Sequence, residues 1–163
     1  MTDPRRLAFA PADANALPLH VVHQEDAPAF LAARPPAVRA WLEAQGWSGA
    51  AGDPVVVPGV NGSVAGAVIG LGDATARARS RFTLARAAVK LPEGTWVLHG
   101  ELSPAERDEA ALGWLLAGYR FDRYRAAKPP RARLVAPRGC DAHRLEIIAN
   151  AEALTRDLIN TPA

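Results

Sequence analysis

Pro54-Val55-Val56-Val57-Pro58, Gly59-Val60-Asn61-Gly62-Ser63 and Val64-Ala65-Gly66-Ala67-Val68-Ile69-Gly70-Leu71 follow one another without a break. Two β-rich runs flank an Asn-Gly pair. A type I′ turn needs positive φ at both central positions, which Asn and Gly tolerate, so two antiparallel strands are expected. Upstream, Leu19-His20-Val21-Val22-His23 has the β-branched centre of another strand, and Leu7 to Ala10 reads as a short edge strand. Glu25 to Pro36 holds three prolines and reads as a loop. Val38, Trp41, Leu42 and Gln45 keep helical spacing, with Gly46 beyond them, and predict a helix over 37–45.

Downstream, Leu84, Ala88 and Leu91 share a helical face within Ser80 to Leu91, and Thr95 to His99 reads as a strand. Ser103-Pro104-Ala105-Glu106 has the form of a capping box, with Pro at the first helical position. The helix it starts presents Leu112, Leu115, Leu116 and Tyr119 at i, i+3, i+4, i+7. Arg133 to Ala136 reads as a last strand. Asp141 caps a final helix with an apolar stripe of Ile147, Ala151, Leu154 and Leu158, stopped by Asn160 and Pro162. Strands alternate with helices around one hairpin, which favours a three-layer α/β domain with a mixed β-sheet flanked by helices.

Composition narrows the class. The chain has 163 residues, 19 basic against 17 acidic, 4 His and one Cys. That length fits one domain, which buries roughly 70% of its unfolded surface. Seventeen of the 19 basic residues are Arg, which lifts the pI to about 9.1 while the net charge stays at +2. A polybasic nucleic-acid binder carries far more. A lone Cys140 excludes an internal disulfide, and no long apolar run or signal pattern is present, so a cytoplasmic domain without a membrane partner is expected.

No catalytic constellation emerges from the residues. His20 and His23 lie on one short segment but point to opposite faces of a strand, so they cannot chelate one ion. Cys140 and His143 form a single C-x-x-H with no second pair at zinc spacing. Ser63 belongs to the hairpin turn and lacks the glycines of a nucleophile elbow. Cys140 near a helix N-terminus has either a lowered pKa or no role, and the absence of an evident His-Asn pair favours the second. Gly70-Leu71-Gly72-Asp73 follows a strand and precedes helical sequence, a geometry in which backbone N–H groups hold anions; it matches neither phosphate-loop pattern, and tight packing explains it as well.

Charge is segregated. Arg77, Arg79, Arg81, Arg86 and Lys90 occur with no acid between them, and residues 120–138 hold Arg120, Arg123, Arg125, Lys128, Arg131, Arg133 and Arg138 against Asp122 alone. Such runs mark either a nucleic-acid face or cations paired with acids on neighbouring elements, and the second reading is the simpler.

Three segments carry a family resemblance. Leu112-Gly113-Trp114-Leu115-Leu116-Ala117-Gly118-Tyr119-Arg120-Phe121-Asp122-Arg123-Tyr124 resembles a helix and turn in the amino-terminal domain of leucyl (cytosol) aminopeptidases, of the bacterial branch in particular. Leu91-Pro92-Glu93-Gly94-Thr95-Trp96 resembles the segment preceding it. Ala153-Leu154-Thr155-Arg156-Asp157-Leu158-Ile159-Asn160-Thr161-Pro162-Ala163 resembles the stretch where that family's interdomain helix enters the catalytic domain, with Thr155 where Ala is usual. Order and spacing agree over roughly residues 35 to 163, and the 73–90 segment is more basic than the family's.

The resemblance implies a macro-domain-like fold at 1–140, an interdomain linker helix at 141–159, and the first residues of a peptidase domain at 160–163. It implies a hydrolase, a metallopeptidase that removes amino-terminal residues from peptides with two divalent ions, zinc or manganese, in a catalytic domain lying after Ala163, and assembly as a homohexamer. No catalytic, cofactor-binding or metal-binding residue maps onto this chain. Its expected role is assembly and active-site access, with its own carboxy-terminal peptidase domain as partner. The resemblance leaves two alternatives, a nucleotide or ADP-ribose module centred on Gly70 to Asp73 and nucleic-acid binding by the Arg-rich faces.

Overall fold

A computed structural model describes residues 6–13, 15–121 and 130–161. Asp122, Arg123, Tyr124, Arg125, Lys128 and Pro162 lie outside the described residues. Five strands form one sheet: β1 (Leu17–Val22), β2 (Val55–Pro58), β3 (Val64–Gly70), β4 (Gly94–His99) and β5 (Ala132–Leu134), in spatial order β2-β3-β1-β4-β5. β3, β1, β4 and β5 pair in parallel, and β2 adds an antiparallel edge through the hairpin. Asn61 and Gly62 have φ of 56° and 76°, and the Ser63 N–H donates to the Val60 carbonyl at 3.2 Å, the closure of a type I′ turn. Ala10 forms an isolated parallel bridge to Val135, so the expected 7–10 strand is reduced to one contact.

Helices α1 (Ala27–Ala32), α2 (Pro36–Ala44), α3 (Ala74–Arg79), α4 (Ala85–Lys90), α5 (Pro104–Ala117) and α6 (Ala142–Asn160) complete the chain. Alternation along the strands sorts the core into two. Leu19, Val21, Ala67, Ile69, Trp96 and Leu134 face α4 and α5, and Val22, Val57 and Val68 face α1 and α2. The result is a three-layer α/β domain. A further cluster of Leu7, Ala111, Leu115, Leu145 and Ala149 fastens α6 onto α5.

Four expectations are corrected. Residues 25–36 are not a loop: Pro28 occupies the first turn of α1 and Pro36 opens α2, positions whose N–H has no helical partner in any case. The helix expected over 80–91 is broken at Phe82, which has φ of 59°. Phe82 is held there because its N–H donates to Glu109 Oε1 at 3.1 Å and it packs closely on Gly113, where a Cβ would come within about 3.0–3.1 Å of it. On α5 the sheet is met by Ala110 and Trp114, while Leu115 with the half-buried Leu112, Leu116 and Tyr119 packs toward α6. On α6 the buried residues are Leu145 and Ala149; Ile147, Leu154, Leu158 and Ile159 are exposed, Leu158 by 69%.

The amino-terminal segment is clamped to α6. Asn150 accepts from the Leu7 N–H at 3.0 Å and donates to the Leu7 carbonyl at 2.8 Å, and Glu146 accepts from the Phe9 N–H at 3.0 Å. At the far end, Tyr119 donates its hydroxyl to Asp157 Oδ1 at 2.9 Å, which joins the end of α5 to α6.

Candidate functional site at the carboxy end of β1

The chain leaves β1 toward α1 on one face of the sheet, whereas the helices α4 and α5 that follow β3 and β4 pack on the other. The carboxy end of β1 is therefore a topological switch point, the place where open α/β sheets form crevices. Side chains from the segment after β1, from α3 and from α5 meet there. His23, just after β1, places Nε2 2.9 Å from Glu106 Oε1, and since a carboxylate only accepts, Nε2 donates. Arg77 of α3 spans Glu25 Oε1 at 2.7 Å and the Gly72 carbonyl at 2.6 Å, and its Nε lies 3.8 Å from Glu106.

Glu106 is fixed by the capping box, which forms as expected: Ser103 Oγ and N–H donate to Glu106 Oε2 at 2.7 and 3.0 Å, and the Glu106 N–H donates to Ser103 Oγ at 3.3 Å. The Ser103 hydroxyl, with the amide and His23, holds the Glu106 carboxyl down at about 2. The Arg77 hydrogen bond holds Glu25 at about 2, and Glu25 in turn raises Arg77.

The order of these groups decides what they can do. A hydrolytic relay places an imidazole between hydroxyl and carboxylate, so that the base takes the hydroxyl proton. Here the carboxylate stands in the middle, and Ser103 spends its hydroxyl on Glu106. The cluster ties the loops after β1 and β3 to the start of α5. The adjoining cavity, floored by Val21, Leu71, Leu84 and Ala110, has about 170 Å³, below the usual size of a small-molecule site.

The residues singled out by sequence are scattered. Ser63 donates to the Val60 carbonyl at 2.8 Å at the hairpin tip. Cys140 donates to the Pro137 carbonyl at 3.0 Å, and burial raises its thiol pKa, which overturns the idea of a lowered one. His143 is exposed on the first turn of α6. His20 and His23 do diverge: His20 packs beside Phe30 on the α1 side while His23 reaches Glu106 of α5.

The Gly70 to Asp73 turn is filled by the chain itself. A Cβ on Gly70 would lie 2.3 Å from the Gly49 carbonyl, the Gly72 N–H donates to that carbonyl at 3.0 Å, and the Asp73 carboxylate caps α3 through the Ala76 N–H at 2.7 Å. The Leu71, Gly72 and Ala76 N–H groups and the space at Gly70 are taken. The basic run is largely paired too: Arg77 with Glu25, Arg81 with Glu109 at 3.0 Å, Lys90 with Asp53 at 3.6 Å, and further along Arg131 with Glu93 at 3.4 Å. Arg79 and Arg86 make no ion pair among the described residues. Among the described residues no group of three or more His, Cys, Asp or Glu side chains gathers as a metal ion would need. No helix among the described residues is long and apolar enough to cross a membrane.

Comparison with known proteins gives the family directly. Residues 17–137 match the model of the M17 aminopeptidase N-terminal domain. Among solved structures, a cytosol aminopeptidase from Coxiella burnetii superposes with a TM-score of 0.82 at 24% identity, covering 96% of this chain and 34% of that one. The bottromycin maturation enzyme BotP in complex with Mn gives 0.62 at 22% identity, covering 91% and 32%. A mutant of tomato leucine aminopeptidase gives 0.60 at 18%, covering 100% and 40%. At these identities the likeness shows the fold, and the chain spans about a third of the length of the structures it matches. No curated protein matches the chain.

Proposed function

The chain belongs to the M17 aminopeptidase family, whose N-terminal domain it carries, and from that premise we propose that it is the non-catalytic domain of a metal-dependent leucyl aminopeptidase. Residues 1–140 form the α/β body, 141–159 the helix that leads away from it, and 160–163 the entry to a peptidase domain. Hydrolysis of the amino-terminal peptide bond, with zinc or manganese, belongs to that following domain. The present domain serves assembly of a homohexamer and access of peptides to the active site, in the cytoplasm.

One observation carries this reading. Helix α6 uses Leu145 and Ala149 to hold the body and turns Ile147, Leu154, Leu158 and Ile159 outward. Exposed apolar residues repeating along one helix favour a covering partner. The following domain is the partner nearest in sequence.

The test is turnover of leucine p-nitroanilide with Mn²⁺ or Zn²⁺. The 163-residue chain is expected to show none, and the protein continued beyond Ala163 to be active. Robust turnover by the 163-residue chain would overturn the proposal.

A further inference from the structure

His20 of β1 and His99 of β4 are register partners in the parallel ladder, so their side chains leave the same face of the sheet side by side, with ring centroids 5.5 Å apart. Phe30 of α1 packs against His20 at 5.4 Å and against Trp47 at 5.5 Å, and the Arg34 guanidinium lies over the Phe30 ring at 4.5 Å. This group is rich in donors and holds no carboxylate. Arg34 Nε and Trp47 Nε1 are buried without a hydrogen-bond partner, and among the described residues neither imidazole makes a hydrogen bond and Arg34 makes no ion pair. Burial lowers the pKa of His20, and Arg34 and His99 lower it further; no carboxylate offsets them.

Native interiors pair their buried donors, so Arg34 Nε and Trp47 Nε1, both without a partner among the described residues, call for an acceptor from outside them. The site is also reachable. Among the described residues the apolar cluster beneath α1 and α2 includes no residue of β4 or β5, and His99 and Arg133 are exposed on that side of the sheet. A cation is disfavoured beside Arg34. A planar fork and two imidazoles arriving from three elements suit an acceptor with several oxygens.

We propose that His20, His99 and Arg34 form a binding site for a tetrahedral oxyanion, either inorganic phosphate or the phosphate of a monoester. Phe30 orients the guanidinium, and the exposed side at His99 and Arg133 admits whatever the phosphate is attached to. The site is separate from the cluster at Glu106 and does not depend on the aminopeptidase reading.

The test uses the 163-residue chain with ¹³C,¹⁵N-labelled histidine at pH 6 and constant ionic strength. Titration with inorganic phosphate is expected to shift the His20 and His99 ring signals along a saturable curve while those of His143 stay in place. Arg34→Gln, a change at a partly exposed side chain, is expected to weaken binding at least tenfold with the sheet intact by amide spectra. Phenyl phosphate distinguishes the sources: tighter binding than inorganic phosphate assigns the site to monoesters, and equal or weaker binding assigns it to the free ion. Shifts that do not saturate, that chloride reproduces, or that Arg34→Gln leaves unchanged overturn the proposal. Saturable shifts with Zn²⁺ but not phosphate overturn it equally and make the pair a metal site.

Discussion

Replacing Glu106 with Gln removes one charge from the cluster at the end of β1 and leaves the side chain's shape intact. In the folded chain the Glu106 carboxyl titrates at about 2 rather than at 4.5. At about 1.4 kcal/mol per pH unit, that difference sets a ceiling of about 3.5 kcal/mol. The side chain is 34% exposed, so solvent screening cuts the figure to about 1–2 kcal/mol. Glu106→Gln is therefore expected to lower stability at pH 7 by that amount, or roughly 3–6 °C in Tm for a domain of this size. The depressed pKa fixes the sign of the pH dependence. The stabilisation is fully present above pH 4.5 and is lost as the pH falls toward 2, with about half gone by pH 3. Glu25 titrates over the same window, but in both proteins, so it cancels in the difference. Urea unfolding followed by tryptophan fluorescence, with buried Trp96 as reporter, measures the gap at pH 7, 5, 4 and 3. A gap of the same size at every pH, or no gap at pH 7, would refute the electrostatic account of the cluster.

Three further outcomes follow from the packing. Gly70→Ala places a methyl within 2.4 Å of the Gly49 and Ala50 carbonyls and is expected to cost more than about 2 kcal/mol by chemical denaturation, as overpacking against backbone does. Asn150→Ala strips partners from both the Leu7 N–H and its carbonyl; a loss of about 1–3 kcal/mol is expected, with faster tryptic cleavage at Arg6 as the amino-terminal segment loosens. Cys140, with its pKa raised by burial, is expected to react with a thiol reagent at pH 8 at least tenfold more slowly than free cysteine, and at the free rate in urea.

Much of the fold is legible in local chemistry. Asn61-Gly62, the Ser103 to Glu106 box and the Asp141 cap each state a backbone geometry within four residues, and each is found. What local reading misses depends on contacts distant in sequence. Prolines at 28 and 36 look like breakers until their place in a first turn is known. Phe82 adopts positive φ only because Glu109 and Gly113, from another helix, hold it. The apolar stripe of α6 is genuine, but periodicity does not say which surface it meets, and the body is held by Leu145, Ala149 and the polar Asn150 instead. The site is less legible still. Glu106 is visible as a cap, yet nothing local announces that its second oxygen meets His23, 83 positions away. The pairing of His20 with His99 follows only once β1 is known to lie beside β4.

If the outward stripe of α6 is an interface with a peptidase domain, as proposed, the Tm change caused by Leu154→Asp with Leu158→Asp must differ between the 163-residue chain and the protein continued beyond Ala163. Both leucines are more than 60% exposed, so the shorter chain is expected to melt within about 2 °C of its parent, as surface changes allow. The longer protein is expected to lose several degrees as charge enters a buried apolar contact. An equal change in the two would contradict the account.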